Sequence, residues 1–143
     1  MLEAPAAPDK VVIVLSAELS LGRAANVAAC LAAGLAAVLP GWGGHSLRDA
    51  DGVASVASSH LPIIVLGADA TRMAALCGRL GQEPPPGCKL CLFPSYAQDI
   101  HDASVYWVRH GQTSHRSEGM LGLGLAGSKK WVNGLTGSLP MLR

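Results

Sequence analysis

Lys10-Val11-Val12-Ile13-Val14-Leu15 is a short, unbroken, β-branched run, and no other stretch constrains this chain as tightly. Successive side chains of a strand point to opposite faces, so five apolar residues in a row need cover on both sides. The run therefore predicts an inner strand of a mostly parallel sheet with helices on each face. It leads through a short connection into residues 23–39, apolar almost all round, which predicts a buried helix stopped by Pro40. Gly34 inside that helix costs about 1 kcal/mol relative to Ala, so a neighbour is expected to press close against it.

The rest of the chain continues the alternation. Residues 62–66 read as a second buried strand, and Asp69 as the cap of an amphipathic helix carrying Met73, Leu76, Cys77 and Leu80. Three prolines at 84–86 break any continuation. Residues 88–93 give a third strand. Ile100, Ala103, Trp107 and Val108 recur at helical spacing, predicting a third helix over 99–111 with Asp99 as its cap. Leu121, Leu123 and Leu125 alternate with glycines in a fourth strand whose backbone a neighbour approaches closely. Ser128 caps a last short helix through Asn133. Residues 41–60 lack periodicity and read as loop with one short polar strand or helical turn. The expected fold is a three-layer α/β/α sandwich around a small sheet.

A chain of 143 residues fits one core. The expected organisation is a flexible tail over 1–9 and one α/β domain over 10–143. Half the residues are apolar, but there are only three Trp, two Tyr and one Phe, so the core must be built from Ala, Leu and Val. A formal charge of +1 supplies no phosphate-neutralising surface, and extended nucleic acid is not an expected partner. The tail has neither a basic start nor an apolar stretch of export length. The longest nearly uncharged run, 24–39, falls short of the roughly 20 residues of a membrane span. Cys30, Cys77, Cys88 and Cys91 are scattered through apolar segments, as in proteins kept reduced. A soluble cytoplasmic protein is the expectation.

Leu19-Ser20-Leu21-Gly22-Arg23-Ala24-Ala25-Asn26-Val27-Ala28-Ala29 resembles the opening of the type II peptidyl-tRNA hydrolases. Gly122-Leu123-Gly124-Leu125-Ala126-Gly127, with Leu135-Thr136-Gly137-Ser138-Leu139-Pro140-Met141-Leu142, is similar to their final strand, helix and tail. A closer resemblance is to an uncharacterised bacterial family, domain of unknown function two thousand, through Asp51-Gly52 and Val132-Asn133-x-Leu135-Thr136-Gly137-Ser138-Leu139-Pro140. That family is understood to share the hydrolase fold. The resemblance implies a four-stranded mixed sheet with its last strand antiparallel, commonly assembled as a homodimer. The hydrolases' catalytic residues are not carried over. Arg23 replaces their first lysine, and Asn26, Cys30 and Ala33 stand where a second lysine, a glutamine and a histidine would be. Pro94-Ser95-Tyr96-Ala97-Gln98 replaces an aspartate-bearing motif.

Gly22, Arg23 and Asn26 fall at a helix N-terminus, where free N–H groups and the dipole suit a small anionic ligand. The plain alternative is a solvated Arg23, and an Asn26 that only satisfies nearby backbone. Ser95 and Gln98 follow the third strand, where ligands gather in open α/β sheets, and are expected to face Asn26 across a cleft; a polar turn explains them equally well. Asn26, Ala29, Cys30, Ala33 and Ala37 form a small-residue face suited to a neighbouring helix or dimer mate. Cys88 and Cys91 are three apart on a strand and point to opposite faces, which excludes a shared metal. The five histidines show no ligand spacing, and no metal or cofactor is expected. The residues favour a small-ligand or partner-binding domain over its rival, a hydrolase of altered chemistry acting on an ester or amide.

Overall fold

In the computed structural model, which describes residues 7–143, the elements are β1 (Lys10–Ser16), α1 (Leu21–Val38), β2 (Ser46–Arg48), β3 (Ala54–Val56), β4 (Ile63–Ala68), α2 (Ala70–Gly78), β5 (Lys89–Pro94), α3 (Ala103–Gly111), β6 (Met120–Gly127) and α4 (Lys129–Thr136). Most of the expected tail, residues 1–6, lies outside the described residues. Four strands form one mixed sheet in the order β4-β1-β6-β5. β1 runs parallel to β4, and β6 runs antiparallel to both β1 and β5. β1 is therefore an inner strand, as its composition requires, and Val11 through Leu15 are each at most 1% exposed.

The pleat of β1 divides the core. Val11, Ile13 and Leu15 pack with Ala24, Val27, Leu31 and Leu35 of α1 on one face. Val12 and Val14 pack with Met73, Leu76 and Cys77 of α2 and with Val132 of α4 on the other. α1 lies so close to β6 that a Cβ at Gly122 would stand 2.9 Å from both Leu31 Cδ1 and Val27 Cγ1, and one at Gly124 would stand 2.8 Å from Leu35 Cδ1. Gly34 gives the same closeness from the helix side, its missing Cβ falling 3.0 Å from Cys91 Sγ. By length and composition α1 could cross a membrane; here its apolar stripe is the core helix of the sheet.

The two sheet edges are treated differently. The β4 edge is covered by the chain's own C-terminal segment: Gly67 N donates to Pro140 O at 2.9 Å, and Leu142 N donates to Val65 O at 3.1 Å. The motif of residues 132–140 serves this return. Thr136, only 2% exposed, donates its hydroxyl to Val132 O at 2.7 Å, and the bare Cα of Gly137 clears Asn133 O. Asp51-Gly52 is likewise structural. It forms the turn of the β2–β3 hairpin, where Asp49 Oδ1 accepts from Asp51 N and Val53 N and Gly52 takes φ +83°.

The third helix departs from expectation. Ser95–Asp99 is a 3-10 turn, the chain is extended at Ile100, and α3 begins only at Ala103. Asp102, not Asp99, is its cap, accepting from Ser104 N at 2.9 Å and Val105 N at 3.2 Å. No residue of α3 is buried, and Trp107 and Val108 are 68% and 61% exposed. The helical spacing was real, but α3 stands beside β5 across a groove, so its apolar residues have no sheet face to cover. Asp69 and Ser128 cap α2 and α4 as their positions predict.

Candidate functional site

β4, β1 and β5 all run in one direction and end on the same side of the sheet, where β6 begins. Ligands of open α/β sheets gather outside such carboxyl ends. A crevice of about 420 Å³ opens there, lined by Ser16 from the end of β1, Ser95 from the end of β5, and Glu18, Arg116, Ser117 and Glu118 from the adjoining loops. Its apolar base is Met73, Cys77 and Met120, all buried. Burial pushes the Cys77 thiol up, which favours its neutral form.

Backbone contacts hold the polar groups in place. Ser95 N donates to Gly119 O at 2.8 Å, and a Cβ on Gly119 would fall 2.7 Å from Ser95 Oγ, so glycine there leaves room for the hydroxyl. Ser16 Oγ accepts from Glu18 N at 3.4 Å. Arg116 Nη2 donates to Leu80 O at 2.9 Å, which anchors the guanidinium and leaves its other donors for a ligand. The crevice thus offers a cation, three hydroxyls and two carboxylates above an apolar base.

An aromatic and imidazole cluster supports the loop that carries Arg116 and Glu118. Tyr96 Oη and His115 Nε2 are hydrogen-bonded at 2.6 Å, and the His115 and His110 rings lie 4.1 Å apart. Tyr106 meets His110 edge-on at 5.6 Å, and the Arg109 guanidinium sits 4.5 Å over the Tyr96 ring. Burial, with His110 alongside, holds His115 below the ordinary imidazole value, against the opposing pull of Glu118. Burial raises the Tyr106 phenol. His110 Nδ1 is buried without a hydrogen-bond partner among the described residues.

Of the ligand-binding candidates Gly22, Arg23, Asn26, Ser95 and Gln98, Ser95 alone lines the crevice. Gly22, Arg23 and Asn26 are exposed on the first two turns of α1 and do not line the crevice. The reason is helical phase: Val27 points into the sheet, and Asn26, one residue earlier, is turned about 100° away. Asn26 therefore does not share the crevice with Ser95. Gln98 turns back on its own loop, its Nε2 donating weakly to Ser95 O at 3.5 Å. Cys88 and Cys91 diverge as expected, one beside Ser128 and the other against Gly34, and no cluster of three metal-binding side chains occurs among the described residues.

Sequence reasoning missed Arg116, Glu118 and the tyrosine–histidine cluster. The available signal was Arg116-Ser117-Glu118-Gly119, two opposite charges and a glycine directly before a buried strand. The pairing of His110 with His115 is invisible to helical spacing because a turn separates them.

The family model described as "Protein of unknown function (DUF2000)" matches residues 9–143. No curated protein matches the sequence. Among solved structures, a protein of unknown function from Agrobacterium tumefaciens is similar over 92% of this chain and 96% of its own, at 20% identity and a TM-score of 0.81. That similarity speaks for the fold.

Proposed function

We propose that this chain, a member of the DUF2000 family of proteins of unknown function, binds a small polar molecule bearing an anionic group in the crevice at the carboxyl ends of β1, β4 and β5. One observation carries the reading: Ser16, Ser95 and the anchored Arg116 converge over an apolar base at the place where such sheets take ligands. Arg116 would receive the anion, the hydroxyls would orient it, and Glu18 and Glu118 would accept from donors elsewhere on the molecule.

Binding is favoured over turnover by the placement of the candidate base. His115 Nε2 is engaged by Tyr96 Oη, and neither Ser16 nor Ser95 has a hydrogen-bonded imidazole among the described residues. The mixed sheet with an antiparallel β6 supports likeness to the type II peptidyl-tRNA hydrolases, and the division of both core clusters across β1 supports one domain over 10–143. The exposed small-residue face of α1 supports a homodimer, and four free cysteines support a cytoplasmic setting.

The test is a screen of small carboxylates and phosphate esters by thermal shift, followed by amide-resonance mapping. The expected hit raises the melting temperature, shifts Ser95, Ser117 and Gly119, and is lost in Arg116→Ala but kept in Asn26→Ala. Hits that map instead to Gly22–Asn26 would move the site to the α1 tip. Hydrolysis of aminoacyl- or peptidyl-tRNA that Asn26→Ala abolishes would install the hydrolase reading.

A further inference from the structure

The outer side of β5 carries a second site, independent of the crevice. β5 pairs with β6 alone, so its alternate backbone N–H and C=O groups on the other side find no backbone partner among the described residues. An unpaired edge is a template for another extended chain, and proteins ordinarily cover or blunt it. This protein covers its opposite edge that way, with residues 140–142 laid along β4. Along β5 it leaves a groove of about 780 Å³, walled by the triproline loop on one side and by Tyr106, Trp107 and His110 of α3 on the other.

We infer that this groove binds an extended segment of a partner protein, which adds to β5 as a fifth strand of the sheet. The exposed groups are main-chain donors and acceptors at strand spacing, and only another extended backbone matches them along the roughly 13 Å that the four groove-lining residues Lys89–Leu92 span. A groove between an edge strand and a helix gives that backbone its ladder and gives its alternate side chains a wall. Trp107, 68% exposed on α3, is the aromatic anchor.

Charge fits the same occupant. Lys89, the first residue of β5, is exposed and has no carboxylate partner among the described residues, while Glu83 lies on the proline-bearing wall. The segment therefore carries apolar residues at every second position and an acidic residue over Lys89. A second copy of this chain would bring its own proline loop and α3, which flank its β5 in the same way, against those of the first.

Selection of a displayed random heptapeptide library on the full chain tests this. The expected winners alternate apolar and polar residues with an acid near one end. A synthetic representative shifts the amide resonances of Lys89–Phe93 and the Trp107 indole, and Trp107→Ala weakens it roughly tenfold or more. N-methylation of the peptide amides that face β5 abolishes binding, whereas methylation of the alternate amides leaves it. The inference is overturned by a library with no enrichment, by winners indifferent to N-methylation or mapping elsewhere, or by light scattering that finds the free protein self-associated with β5 and Trp107 at the contact. None of these outcomes bears on the crevice, whose hits are read at Ser95 and Gly119.

Discussion

The strand β1 and the helix α3 carry apolar residues in comparable density and meet opposite fates. Val11–Leu15 vanish into two cores, whereas Val105, Trp107 and Val108 are each more than half exposed. The difference is topological. β1 lies between two strands and beneath helices on both faces, so every side chain it offers has a partner. α3 follows the last parallel strand out to the sheet edge, where its neighbours are a groove, a polar turn and a cluster of rings. Apolar content stabilises only where the fold supplies something to bury it against. Where it does not, the same content remains available for binding.

The largest expected effect tests the buried half of that comparison. Ile13→Ala removes a side chain that is 0% exposed between β4, β6 and α1 and should cost about 4 kcal/mol in urea denaturation, as transfer and cavity terms add. Trp107→Ala, although a larger truncation, should stay within about 0.5 kcal/mol. Similar losses from the two would end the contrast. Next comes Gly124→Val: a side chain there must displace Leu35 Cδ1, 2.8 Å from the new Cβ, and lift α1 from β6 at a cost of about 3 kcal/mol. A neutral result would mean that α1 packs more loosely on β6 than these distances require.

The same contrast governs what could be read from the residues. β1, β4, β5 and β6 were legible because continuous apolar or leucine-glycine runs permit few other structures, and Asp69 and Ser128 because a cap announces the helix that follows. Ser95 was legible as a residue beyond a strand end. The tip of α1 reads as an anion site because helix N-termini favour anions in general, while the phase of this helix, set by Val27 and Leu31, turns Asn26 to solvent and away from the crevice. Asp99 reads as a cap because it precedes Ile100, and only the extended backbone at Ile100 moves the helix start to Ala103 and the cap to Asp102. Arg116, Glu118 and the ring cluster were hidden because they depend on contacts between a turn, a helix and a loop that no local pattern encodes.

A smaller effect, confined to the exposed half, should follow Asp102→Ala. The carboxylate accepts two backbone amides and the Ser104 hydroxyl, and those bonds hold it below the usual carboxylate range. Without it, amide exchange in Val105–Gly111 should quicken several-fold while β1 and α1 exchange as before, because α3 contributes no buried residue to the core. Uniform loss of protection across the sheet would show that α3 is part of the same cooperative unit after all.

The smallest effect concerns the loop that joins the two halves. His115 is held below the ordinary imidazole value of 6.5 by burial first and by His110 second, with Glu118 opposing. The unfolded chain therefore binds that proton more readily than the folded one. The contribution of a neutral His115 is complete above pH 6.5 and drains away as the pH falls below it. Between pH 7.5 and 5.5 the urea midpoint should decline in the wild type and decline less in His115→Gln. Because residues 116–118 ride on the same support, resonances of Ser117 and Gly119 should follow the same titration. A midpoint flat in the wild type, or a decline unchanged by the substitution, would detach the ring cluster from the crevice and leave Arg116 positioned by its bond to Leu80 O alone.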